Sequence, residues 1–176
     1  VDFDVHHGNG TQHIFERDPT VFYYSIHQHP TFAYPGTGRE FETGKDAGHG
    51  YTKNSPMLPG QGDNEYKQVL QRDLVPAFAD FKPQVILVSS GFDAHIEDNM
   101  SDIKLTTEGF TWIIKMIVEL AAEHEINEQW VDELMNLVVR KYPPSNLTRN
   151  KSALLRDVKK VIEHAVTADE AAKNDL

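Results

Sequence analysis

The stretch that decides the fold is VDFDVHHGNG, residues 1–10, in which Val1, Phe3 and Val5 alternate with Asp2, Asp4 and His6 ahead of a Gly8-Asn9-Gly10 turn. Alternation at period two marks a strand, here Val1–Val5, and it sets Asp2, Asp4 and His6 on one side of the extended chain. The strand end therefore offers a carboxylate and an imidazole together, with Asp2 one step deeper. A second segment of the same kind lies far along the chain. Gln84-Val-Ile-Leu-Val-Ser-Ser90 is short and apolar on both faces, like a central strand of a parallel sheet, and it stops at Gly91-Phe92-Asp93-Ala94-His95.

Working outward, the pattern predicts a short helix over Gln12–Glu16, a strand over Thr20–Ile26 and a Gly- and Pro-rich loop from Gln28 to about Gly62. A helix over Asn64–Phe81 follows, which Pro76 should end or kink. Thr106 can cap a further helix whose face is Phe110, Ile113, Ile114, Ile117, Val118 and Ala121. Helices alternating with strands that end in polar turns predict an α/β fold, a mainly parallel sheet flanked by helices. In such sheets ligands collect outside the carboxyl ends of the strands.

Composition bounds the function. With 176 residues, 39% of them apolar, the chain can bury one core, and a net charge of -10 argues against direct binding of nucleic acid, which needs basic surface. The absence of cysteine excludes disulfides and thiolate metal sites. No apolar run is long enough to span a bilayer, so an intracellular protein, cytoplasmic or nuclear, is expected. Val1 opens without signal-peptide character and reads as a cut inside a larger domain. All 11 glycines lie at or before Gly109 and the acidic excess lies before residue 127, which separates residues 1–124 from a helical tail, 125–176. That tail is read as helices over Glu128–Val139 and Lys151–Val166 around a Tyr142-Pro-Pro144 break.

Asp4, His6 and Asp93, brought from two strand ends, would make the three-ligand set that leaves zinc open to water. Asp-x-Asp and His-His also serve as caps and hydrogen-bonding groups, and the spacing leaves both readings open. Gathering carboxylates without a cation is costly, which favours a metal if the two strands are neighbours.

Four stretches go further. VDFDVHHGNGTQHIF, SIHQHPTFAYPGTG, GYTKNSPMLPGQGDNEY and LVSSGFDAHIEDNMSDIKLTTEGF resemble, in order and spacing, the second half of the catalytic domain of zinc-dependent histone deacetylases and acetylpolyamine amidohydrolases, over about residues 1–124. Asn9 in HHGNGTQ is similar to the class II branch. The resemblance implies an arginase/deacetylase-like fold and hydrolysis of N-acetyl groups on lysine side chains or polyamines. It assigns Asp4, His6 and Asp93 to zinc, and Asp2 to orienting a catalytic histidine. With Ser25 and the backbone around Asp4 and His6, Asp2 would also hold a structural potassium. Phe15 and Tyr51 fall where main-chain oxygens bind a second monovalent cation, and Tyr34 matches an aromatic wall of the acyl-lysine tunnel. Nothing in their spacing singles out His7, His27, His29, His49 or His95, which are read as structural.

The family's tandem catalytic histidines and its Gly-Gly-Tyr loop do not occur in these 176 residues, and His6-His7 is not that pair because His6 is the metal ligand. The resemblance therefore implies a chain that supplies the metal and its water but not the base, with an acetylated protein or polyamine as partner. A sheet edge left open upstream would make it prone to associate. Two rivals stand beside this reading. A ureohydrolase would need a second metal and more aspartates than DVHH and GFDAH offer; an inactive fragment or interaction module would dock a partner through the face from Leu154 to Val166.

Overall fold

The computed structural model describes residues 1–123. The tail helices expected over Glu128–Val139 and Lys151–Val166, with the break between them, lie outside the described residues. The chain divides into two units: Val1–Phe81 with Leu87–Thr106, and Lys82–Ile86 with the chain from Thr107 onward.

The first unit is built on parallel backbone pairing. Strand β1, Tyr23–Gln28, pairs in parallel with β2, Thr52–Met57, in the register Tyr23 to Thr52 through Gln28 to Met57. Residues 1–5 lie along the other side of β1: the Asp2 amide donates to Tyr24 O (2.8 Å), Ile26 N to Asp2 O (3.0 Å) and Gln28 N to Val5 O (2.9 Å). On their far side the Phe3 amide donates to Ser89 O (3.1 Å) and Ser89 N to Val1 O (2.8 Å). Four parallel segments thus stand in the order 87–89, 1–5, β1, β2, and all of their carboxyl ends face one way. Asp2 forms parallel β-bridges to both Ser25 and Ser89, so residues 1–5 run centrally although their ladder is too short to make a regular strand.

Side chains follow the alternation. Phe3 and Val5 are fully buried, while Asp4 and His6 on the opposite face are half-exposed. Helix α1, Asn9–Phe15, begins earlier than its apolar pattern suggests, directly after Gly8. Helix α2, Asp63–Phe81, buries Tyr66, Leu70, Leu74 and Phe78, one residue per turn, with Asp73 beside them. Pro76 neither ends it nor lies on its buried face: it is exposed, where water can serve the Arg72 carbonyl that the ring leaves unpaired. Asp73 accepts from Ser55 Oγ (2.8 Å), which in turn accepts from the Tyr24 hydroxyl (3.1 Å), so a chain of hydrogen bonds ties α2 to both strands.

Two expectations change. The predicted loop from Gln28 to Gly62 contains β2, whose Thr-Lys-Asn-Ser-Pro-Met sequence lacks an apolar run and takes its strand form from pairing with β1. The predicted strand Gln84–Ser90 contracts to a bridge at Ser89; Val85 and Leu87 are 45% and 73% exposed. In the second unit, α3, Thr107–Glu123, starts where Thr106 was expected to cap it and buries Phe110, Ile113, Ile114, Met116, Ile117 and Leu120. Among the described residues no helix is long and apolar enough to cross a membrane.

Candidate metal centre

Adjacency of the first two parallel segments brings their carboxyl ends together. Asp4 and His6 leave one end and Asp93 the other, and one donor atom from each lies within 4.8 Å of the other two. His6 Nδ1 stands 3.2 Å from Asp4 Oδ1 and 2.9 Å from Asp93 Oδ2. Among the described residues this is the one cluster of three metal-donor side chains. A cluster of that size gives no support to the two-metal ureohydrolase reading.

The local backbone holds the carboxylates. The Asp4 amide donates to Asp2 Oδ1 (3.2 Å), the His6 amide to Asp4 Oδ1 (2.8 Å) and the Val5 amide to Asp93 Oδ1 (3.1 Å). The Asp-x-Asp-x-His spacing thus lets each aspartate accept from the amide two residues on, a local bond short side chains favour. Gly91 opens the space they share: a Cβ there would lie 2.6 Å from Asp4 Cγ and 2.8 Å from Asp93 Oδ1. Burial, and then the neighbouring Asp4 charge, push the Asp93 carboxyl above the usual carboxylate range. A cation at this point would relieve both penalties.

Asp2 sits deeper and is buried, with Tyr23 Oη 3.1 Å from its Oδ2 and 3.2 Å from the Gly8 carbonyl. Burial raises its pKa, against the Asp4 amide and Tyr23 hydroxyl, which favour the charge. Ser25 lies beside Asp2 across their parallel bridge. Phe15 and Tyr51 carry carbonyls that already accept from the Asp18 and Tyr23 amides (2.9 Å each), leaving one lone pair apiece. Tyr34 lies on the loop after β1 and is 78% exposed.

Two histidines that spacing left undistinguished are buried beside the site. His27 donates from Nε2 to Gly38 O (2.9 Å) and accepts from Ser25 Oγ at Nδ1 (2.8 Å). His7 donates from Nε2 to Gln12 Oε1 (2.9 Å) and accepts from Thr37 Oγ1 (2.8 Å). Their rings are 4.7 Å apart, and burial keeps both neutral, pressing His27 down to about 4. The signal that could have found them is their place one step beyond a ligand strand and two beyond Ser25, on chain already committed to a strand end.

Comparison with known proteins follows the same segments. The family described as Histone deacetylase domain matches residues 1–131. Histone deacetylase 14, chloroplastic, of Arabidopsis thaliana is 44% identical over 123 residues, covering 70% of this chain and 29% of that protein. The structure of the histone deacetylase Clr3 superposes with a TM-score of 0.66 at 39% identity, covering 69% of this chain and 21% of the other. Acetylpolyamine aminohydrolase from Burkholderia pseudomallei superposes with a TM-score of 0.63 at 35% identity, covering 66% and 34%. The chain thus spans about a third or less of the length of these relatives.

Proposed function

This chain belongs to the histone deacetylase family, and from that premise we propose that Asp4, His6 and Asp93 hold a zinc ion used to hydrolyse the N-acetyl amide of an acetylated lysine side chain or polyamine. The observation that carries the reading is the convergence of three donor atoms within 4.8 Å at the ends of adjacent parallel segments. The donor chemistry fits. Tetrahedral zinc with ligand bonds of 2.0–2.2 Å sets neighbouring ligand atoms about 3.3 Å apart, and His6 Nδ1 lies 3.2 and 2.9 Å from the two carboxylate oxygens. Two carboxylates and one imidazole make the oxygen and nitrogen set zinc accepts, with a fourth position left for water or substrate.

When bound, zinc supplies Lewis-acid polarisation of the amide carbonyl and lowers the pKa of water from about 16 toward about 7. The chain's own groups do the holding. The Val5 and His6 amides fix the two carboxylates, and Gly91 keeps the space between them clear. Asp2, braced by the Tyr23 hydroxyl and the Asp4 amide, is placed to orient a histidine that this chain does not itself carry. Asp2 and Ser25 also suit a structural potassium: Ser25 gives its proton to His27 and keeps its lone pairs for a cation. Tyr34 forms one wall for the acyl-lysine stem, and Asn9 favours the class II branch.

The test is acetate release from an acetyl-lysine peptide and an acetylated polyamine by the zinc-loaded chain, by the chelated chain and by Asp93→Ala. Slow release that needs both zinc and Asp93 is expected. Release that survives chelation and the substitution would overturn the reading.

A further inference from the structure

Resting on the acyl-lysine reading above, we propose that Gln12 and Glu42 are positioning residues, which lock the Thr37-Gly38-Arg39 turn, and with it Tyr34 just upstream, onto the strand end that carries His6. Tyr34 is 78% exposed, so burial does not hold it, and its place is set by the turn it leads into. That turn is bonded from two sides. On one, Thr37 Oγ1 donates directly to His7 Nδ1 (2.8 Å). On the other, the Gly38 and Arg39 amides both donate to Glu42 Oε1 (2.9 Å each), while Glu42 Oε2 accepts from Gln12 Nε2 (2.7 Å). Gln12 Oε1 then accepts from His7 Nε2 (2.9 Å) and from Asn54 Nδ2 (2.8 Å). The bonds close a ring that begins and ends on His7, the neighbour of His6.

Each member of the ring has one workable polarity. Glu42 must accept three times on two oxygens, and Gln12 must give its protons to one side and accept on the other. A residue larger than glycine does not fit the turn: Gly38 has φ +89°, and a Cβ there would lie 2.5 Å from His7 Cγ. Such satisfied polar networks specify a single arrangement, and a half-satisfied one does not. The side-chain bonds of Gln12 and Glu42 run to His7, to Asn54 and to the Gly38 and Arg39 amides, so their purpose lies with the turn rather than with holding the Asp4 and Asp93 carboxylates.

A polarity swap tests this. Glu42→Gln turns an NH2 group toward a donor whichever way the amide rotates, and Gln12→Glu sets two carboxylate oxygens against each other. The double variant Gln12→Glu with Glu42→Gln restores every bond, because the new glutamate accepts from His7, Asn54 and residue 42, while the new glutamine accepts from both turn amides. Zinc affinity and binding of a fluorescent acetyl-lysine peptide are measured on the zinc-loaded chain, well below each variant's melting temperature, in the wild-type and Tyr34→Ala backgrounds. Each single variant should weaken peptide binding roughly tenfold or more with zinc affinity unchanged, and the swap should restore it. In the Tyr34→Ala background the single variants should add no further loss, as groups acting through one another do. Single variants that bind peptide normally while Tyr34→Ala does not, a swap that fails to restore binding, or losses undiminished by Tyr34→Ala would overturn the inference. Failure of the functional reading looks different: zinc-loaded wild type that binds no peptide, or Tyr34→Ala that binds as wild type, removes the wall itself and the positioning role with it.

Discussion

Gly91→Ala is the smallest change that should empty the site while sparing the fold. An added Cβ would lie 2.6 Å from Asp4 Cγ, whereas non-bonded carbons rest at about 3.5 Å; the Asp4 carboxylate must therefore retreat by about 0.9 Å. Metal sites tolerate ligand errors of about 0.2 Å, so the displaced oxygen is lost to the ion. Asp4 is partly exposed, so it can yield toward solvent by giving up the bond from the His6 amide, which places the cost on the site rather than on the core. Outer positioning groups are worth 10- to 100-fold in metal affinity, and a ligand displaced outright should lose at least as much, about 1.4–2.7 kcal/mol or more. Competition with a chromophoric zinc chelator, with circular dichroism on the same samples, measures both quantities. Gly10→Ala, where an added Cβ meets nothing within 4 Å, is the matched control. A folded Gly91→Ala protein with wild-type zinc affinity would refute the geometry proposed for the site.

Other perturbations bear on the surroundings. Tyr23→Phe takes a buried hydroxyl from Asp2 Oδ2 and the Gly8 carbonyl and should cost about 1–3 kcal/mol in denaturant unfolding; a neutral result would mean that water replaces it. Burial presses His27 down to about 4, so the native chain binds fewer protons than the unfolded one between pH 4 and about 6.5. Stability should accordingly fall as pH drops through that window, by up to about 3 kcal/mol, and His27→Gln should flatten most of the slope in thermal melts, the remainder being that of His7, which is shifted the same way. An unchanged slope in His27→Gln would assign the effect elsewhere. Deacetylation by the zinc-loaded 176-residue chain should run about 10²–10⁴-fold below that of a complete relative, the usual worth of general acid–base catalysis; comparable turnover would mean that His7 or a tail residue serves as the base.

The meeting of Asp4, His6 and Asp93 is legible in the sequence because period-two alternation at Val1–His6 and an apolar run before Asp93 each point to the end of an extended segment, where parallel sheets collect polar groups; their assignment to a metal comes with the family resemblance rather than with the spacing. The helix over Asp63–Phe81 is legible for a similar reason, with apolar residues recurring at each turn. β2 is not. Its six residues include Lys53, Asn54 and Pro56, and only the ladder to β1 makes them a strand, a fact that belongs to tertiary pairing. The ring through His7, Gln12, Glu42 and Asn54 escapes for another reason: each residue alone reads as an ordinary polar side chain, and their meaning arises only when the turn after residues 1–5, helix α1, the loop at Glu42 and strand β2 meet. Val85 and Leu87 show the converse, apolar residues whose composition implies burial and which stand exposed.

Zinc stoichiometry on protein shown to be folded tests the metal centre most directly, with wild type, Asp93→Ala and His49→Ala dialysed against the same trace zinc and measured by atomic emission. One zinc per wild-type and His49→Ala chain, and little or none on Asp93→Ala, is the expected result. Folded wild-type protein that retains no zinc, or Asp93→Ala that retains as much as wild type, would contradict it.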